Sequence, residues 1–122
     1  MAGIVFVRTT ELARITAFYV EELGMSRWVS QPEIEILRHE NLLVGFIQSD
    51  RADTDALVTF FYPDREHVDE MYRRLESLAT TKPAENSRYR IYNFYARDPD
   101  DRRIEFQCFL HELPPVPGVP AP

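Results

Sequence analysis

Few side chains in this 122-residue sequence have the chemistry to act on another molecule. The imidazoles are His39, His67 and His111, and the only thiol is Cys108. His39 falls in a turn, His67 in the first turn of a helix and His111 just after the last strand. None stands at a metal-ligand spacing from another, and all three read as surface residues. Cys108 lies in an apolar strand pattern with no partner for an intrachain bridge, so it reads as a small core residue rather than a reactive thiol. No His-Glu-x-x-His pattern, glycine-rich phosphate loop or Gly-x-Ser-x-Gly elbow is present. What remains is arginine and carboxylate. Arg88, Arg90, Arg97, Arg102 and Arg103 cluster late in the chain with acids interleaved, the pattern of a solvated hairpin rim. Glu105 stands in the alternating run Arg103-Ile104-Glu105-Phe106-Gln107-Cys108. Strand periodicity puts Arg103, Glu105 and Gln107 on one face and the three apolar residues on the other.

Composition narrows the classes of partner. Twenty acidic against 14 basic residues leave a net charge of −6, which opposes non-specific attraction to nucleic acid. No apolar run approaches the roughly 20 residues that span a bilayer, so no membrane partner is expected. Met1 to Arg8 has no basic start and too short an apolar stretch for a secretory signal, and a cytoplasmic protein is expected. The length suits one domain with its own core.

The elements that must position these residues come in two similar sets. Ile4 to Arg8 reads as a strand, Thr9-Thr10 as N-cap candidates, and Leu12, Ile15, Tyr19 and Leu23 as the stripe of a helix that ends at Gly24. Strands follow over 26–29, 33–37 and 42–47. The second half repeats the order, with a strand over 57–62 and Pro63-Asp64 opening a helix. Val68, Met71, Tyr72, Leu75 and Leu78 form that helix's core stripe. A longer connection through Lys82-Pro83 leads to strands over 89–96 and 103–109, separated by the turn Asp98-Pro99-Asp100-Asp101. The chain reads as an α+β protein of two βαβββ modules, about 1–50 and 55–112, in a single domain over 1–112. A proline-rich tail over 113–122 follows.

Two stretches carry a family resemblance. Glu11-Leu12-Ala13-Arg14-Ile15-Thr16-Ala17-Phe18-Tyr19-Val20-Glu21-Glu22-Leu23-Gly24 and Tyr95-Ala96-Arg97-Asp98-Pro99-Asp100-Asp101-Arg102-Arg103-Ile104-Glu105-Phe106 resemble signatures of the vicinal oxygen chelate superfamily. That superfamily includes glyoxalase I, extradiol dioxygenases, fosfomycin-resistance enzymes and bleomycin-binding proteins. In the second stretch Asp101-Arg102 replaces the family's Gly-Asn. The resemblance implies two modules curling their mixed sheets into a cup (the glyoxalase/bleomycin resistance/dihydroxybiphenyl dioxygenase fold), and commonly a homodimer. It also implies a divalent metal held by a residue on the first strand of each module and by a glutamate on the last strand. Those positions fall near Ile4, Leu57 and Glu105, with Val44 the first module's equivalent of the glutamate. Only Glu105 has a donor atom, and one carboxylate does not hold a catalytic divalent ion. No metal and no cofactor are therefore expected.

Within such a cup, pairing Arg97 with Arg102 around a four-residue turn sets Phe94 opposite Glu105 and puts Arg90 and Tyr92 on the same face. Phe6 and Arg8 follow from the first ligand position, Thr59 and Phe61 from the second. Ligand contacts are thus expected from Phe6, Arg8, Thr59, Phe61, Arg90, Tyr92, Phe94, Arg103 and Gln107, with Trp28 as a stacking surface at the rim. An aromatic wall with a few convergent polar groups suits a small molecule. Two readings stay open: a metal-free binder of an aromatic or polycyclic small molecule, or an enzyme of lyase, isomerase or dioxygenase type. The enzyme would use Glu105 as acid or base or in an atypical metal site. Glu105 has a third explanation, a structural ion pair with Arg8 or Arg103.

Overall fold

The computed structural model describes residues 1–119. They divide into two compact units, Met1–Ala56 with Pro99–Arg102, and Leu57–Asp98 with the described residues 103–119.

In the first unit β1 (Val5–Thr9) lies parallel to β4 (Leu42–Gln48), and β3 (Ile34–His39) and β2 (Ser26–Gln31) continue the sheet antiparallel, in the order β1-β4-β3-β2. Alternation sorts the faces. Val7, Thr9, Leu37, Val44 and Phe46 are buried on the side of α1 (Leu12–Ala17), and Tyr19, just beyond that helix, packs on Phe46 at 4.9 Å. The opposite face carries Phe6, Arg8, Leu43, Gly45 and Ile47. The helix does not stay regular to Leu23 as its stripe predicts. Phe18–Glu22 form a wider π-helical turn, with Leu23 N–H donating to the Phe18 carbonyl at 3.3 Å, and Gly24 then ends it at φ 81°. The cap also differs from the Thr9-Thr10 expectation. Glu11 occupies the N-cap position without a side-chain cap, and the Gln48 amide from β4 does the work, accepting from Leu12 N–H at 2.8 Å and donating to the Thr10 carbonyl at 2.7 Å.

The second unit repeats the plan in the order β5-β8-β7-β6, with β5 (Val58–Phe61) parallel to β8 (Arg103–Phe109) and β7 (Ile91–Arg97) and β6 (Ala84–Asn86) antiparallel. β6 falls inside what the sequence predicts as a connection. Asp64 caps α2 (Arg65–Leu75) as expected, accepting from His67 N–H at 3.0 Å, and Val68, Met71 and Leu75 are buried beneath it. Leu78, expected in that stripe, is exposed in a closing 3₁₀ turn. Ile104, Phe106 and Cys108 are buried on the helix side, as alternation predicts, and burial pushes the Cys108 thiol up.

The β7–β8 register corrects the sequence expectation by one residue. Arg97 pairs with Arg103, not Arg102, so Tyr95 lies opposite Glu105 and Asn93 opposite Gln107. Tyr92 and Phe94 accordingly sit on the helix side. The cause is Arg102, which the sequence places on a solvated rim and which is fully buried. Its guanidinium donates to the Asp53 carbonyl at 2.8 Å and the Arg8 carbonyl at 3.0 Å, reaches Asp100 at 3.4 Å and lies over the Phe46 ring at 5.6 Å. Turning that side chain inward adds a residue to the loop. Asp101 takes the left-handed conformation, φ 65°, where the resembled motif carries glycine. Of the proline-rich tail, 113–119 are described, mostly exposed, with one turn from Val116 to Val119; Pro120, Ala121 and Pro122 lie outside the described residues.

Candidate functional site

Each unit presents one sheet face that no helix covers, and the two faces differ in chemistry. On the first sheet Phe6 points outward from β1 and lies directly over Gly45 of β4, whose missing side chain makes room for the ring. Beside it, β2 carries a bulge between Arg27 and Val29, and the extra residue is Trp28. Phe6, Trp28, Ile4 and Leu43 line a groove of about 350 Å³ with the N-terminal residues Ala2 and Gly3. Phe6 keeps 45% and Trp28 52% of their surface exposed, large values for side chains that avoid water. Among the described residues, no charged side chain lines this groove.

Arg8 shares that face but is already committed. Asp53 grips it at both carboxylate oxygens, with Arg8 Nη2 to Oδ1 at 2.6 Å and Nε to both oxygens at 3.1 Å, while the Arg8 N–H donates to Oδ2 at 2.8 Å. These bonds hold the Asp53 carboxyl at about 2, below its ordinary 3.8. Asp53 is a partner the sequence reading misses. It lies in a polar loop with no periodic signal, and only the fold brings it to β1.

On the second sheet the face turned away from α2 carries Glu105, which is buried at 6% exposure. Its oxygens are held by neutral donors, Thr59 Oγ1 to Oε1 at 2.9 Å and Asn93 Nδ2 to Oε2 at 2.7 Å. Thr59, not Leu57, is the β5 residue in register with Glu105, so Leu57 is not the neighbouring position. Arg103 stacks over the Tyr95 ring at 5.0 Å. Gln107 is half-buried, and Phe61 makes an edge contact with Phe109 at 5.5 Å.

The remaining expected contacts lie elsewhere. Phe94 is fully buried, stacked on Phe106 at 5.0 Å and edge-on to Tyr72 of α2. The Tyr92 hydroxyl donates to Asp69 of α2 at 2.7 Å, and Arg65 covers its ring at 4.9 Å. Arg90 is exposed in the turn before β7 at φ 54°. The slip in register accounts for Tyr92 and Phe94, since moving a strand by one residue turns every side chain to the other face.

The donors beside Glu105 do not fit a divalent metal. They are one hydroxyl and one amide NH₂ aimed at its oxygens, with no imidazole in contact, and among the described residues no three His, Cys, Asp or Glu side chains converge.

No protein-family model matches the sequence, and no curated protein matches it. Solved structures do match the fold. A glyoxalase/bleomycin resistance protein/dioxygenase family enzyme from Burkholderia phytofirmans superposes with a TM-score of 0.77 at 18% identity, over 88% of this chain and 97% of its own. An integron cassette protein from the Halifax Harbour sewage metagenome gives 0.77 at 17% identity, over 89% and 98%. Lactoylglutathione lyase from Agrobacterium tumefaciens gives 0.72 at 18% identity, over 88% and 92%. With its two βαβββ units, the chain thus has the fold of the glyoxalase/bleomycin resistance/dioxygenase proteins.

Proposed function

We propose that this chain binds an aromatic or polycyclic small molecule on the uncovered face of its first sheet, without a metal ion. The observation that carries this is the pairing of two half-exposed aromatic rings, Phe6 and Trp28, in one uncharged groove of about 350 Å³. That volume is within the usual range of small-molecule sites. Planar rings gain from offset or edge-to-face contact with such side chains beyond the area they bury. The relatives in fold include proteins named for bleomycin resistance, and their names suggest the same class of task. A thermal-shift screen of aromatic and polycyclic compounds tests it. A hit raises the melting temperature with a dependence on concentration that saturates binding. A screen in which no aromatic compound stabilises the protein refutes it. A homodimer is the expected assembly, measured by light scattering of the purified protein.

A second reading is favoured by one observation: Glu105 is buried and its oxygens accept from neutral donors. A carboxyl so placed is suited to exchange a proton with a bound substrate in a lyase or isomerase reaction. Glu105→Gln abolishes turnover of an identified substrate under this reading and leaves it unchanged if Glu105 is structural.

A further inference from the structure

The second unit holds a groove that the proposed aromatic site does not use. β7 is bordered along one edge at two places. Thr80 N–H donates to the Tyr95 carbonyl at 2.8 Å, and Ala84 pairs with Asn93 in the β6 register. From Thr80 to Ala84 the outer chain advances four residues while β7 advances two, from Tyr95 to Asn93. The surplus loops outward at Thr81-Lys82-Pro83, and the gap it leaves is a groove of about 460 Å³. Extra residues of this kind along a strand edge re-aim side chains around binding sites.

The groove's polar groups have a definite arrangement. Lys82 is the only lysine of the chain and makes no hydrogen bond or ion pair among the described residues. Asn93 spends its NH₂ on a Glu105 oxygen, which leaves its carbonyl Oδ1 as an acceptor with no donor among the described residues. Thr81 Oγ1 accepts from Tyr95 N–H at 2.9 Å, so its own hydroxyl hydrogen is available to an acceptor. The acidic lining residue, Glu85, is engaged by Arg65 and does not answer Lys82. Tyr95 supplies an aromatic wall, and Ser87 a further hydroxyl.

We propose that this groove binds small organic carboxylates that also carry a hydroxyl or amide N–H. The carboxylate meets the Lys82 ammonium and the Thr81 hydroxyl, the ligand's donor meets Asn93 Oδ1, and its carbon frame lies along Tyr95. Each unanswered group of the groove thereby finds its complement. The site is independent of the Phe6–Trp28 groove and stands or falls without it.

The test is an amide nitrogen–proton NMR titration of the full chain with lactate, mandelate, tartrate and N-acetylglycine, at constant ionic strength. Saturable shifts are expected at Thr81, Lys82, Ser87, Asn93 and Tyr95 with at least one of the four. Lys82→Gln, at an exposed position, keeps the rest of the spectrum and loses about tenfold in affinity, roughly 1.4 kcal/mol. Three results overturn the proposal: no saturable shift with any of the four, equal affinity in Lys82→Gln, or shifts confined to residues around Phe6 and Trp28.

Discussion

The ring of Phe6 occupies the space that a side chain on Gly45 would need: a Cβ built there lies 2.3 Å from Phe6 Cδ1 and 2.4 Å from Cε1. Gly45→Ala therefore drives the ring off the strand. Phe6 is half exposed and has room to move, so the cost in stability is small, under about 1 kcal/mol. The aromatic wall beside Trp28 is disturbed much more. An aromatic ligand found by screening is expected to bind Gly45→Ala about fivefold more weakly, roughly 1 kcal/mol, by titration calorimetry.

Arg102 anchors the turn that sets the register of β7. Removing a buried guanidinium takes its donor from the Asp53 carbonyl, leaves the Arg8 carbonyl with only the Asp53 N–H, and deprives the Asp100 carboxylate of that contact. Arg102→Ala is expected to cost roughly 3–5 kcal/mol in urea unfolding. Arg88→Ala, at an exposed site, changes stability by no more than about 0.5 kcal/mol. Similar effects from the two variants contradict the anchoring role.

Two titrating pairs give opposite dependences on pH. The Asp53 carboxyl, held by Arg8 at about 2 against an ordinary 3.8, stabilises the fold above the ordinary value, and that contribution disappears as pH falls toward 2. Asp53→Asn is thus less stable than the parent at neutral pH and converges with it in acid. His67 is raised above 6.5 by its hydrogen bond to Asp64 at 2.6 Å. Its contribution is complete below 6.5 and is lost as pH rises through the elevated value. The stability gap between the parent and His67→Gln therefore narrows on the alkaline side. Melting temperatures across pH measure both.

Thr16 is buried on α1, and its hydroxyl has no hydrogen-bond partner among the described residues. Thr16→Val keeps the shape and removes the unmet group, and is expected to stabilise the protein by about 1 kcal/mol. A melting temperature below that of the parent contradicts this.

The residues explain what was legible in the sequence. β8 is read correctly because Ile104, Phe106 and Cys108 alternate with polar neighbours, and that contrast fixes both the strand and its faces. β7 lacks the contrast. Ile91, Tyr92, Phe94, Tyr95 and Ala96 put apolar or aromatic groups on both faces, so its register depends on the length of the turn. The turn length depends on Arg102 pointing inward, a tertiary choice with no local signal. Phe6 and Trp28 were expected near a ligand for different reasons, and the β2 bulge that brings Trp28 into the groove with Phe6 leaves no mark in the pattern of β2. β6 is short and polar, held by pairing rather than by apolar periodicity. The pairing of Arg8 with Asp53 spans 45 positions of chain, beyond the reach of any spacing rule.

Trp28 is the only tryptophan of the chain, so its fluorescence reports on the groove alone. A titration of Trp28 emission with the aromatic compounds that pass the thermal screen tests the binding claim most directly. Saturable quenching is expected, with affinity reduced in Phe6→Ala. Emission that stays unchanged at ligand concentrations that stabilise the protein, or equal affinity in Phe6→Ala, contradicts it.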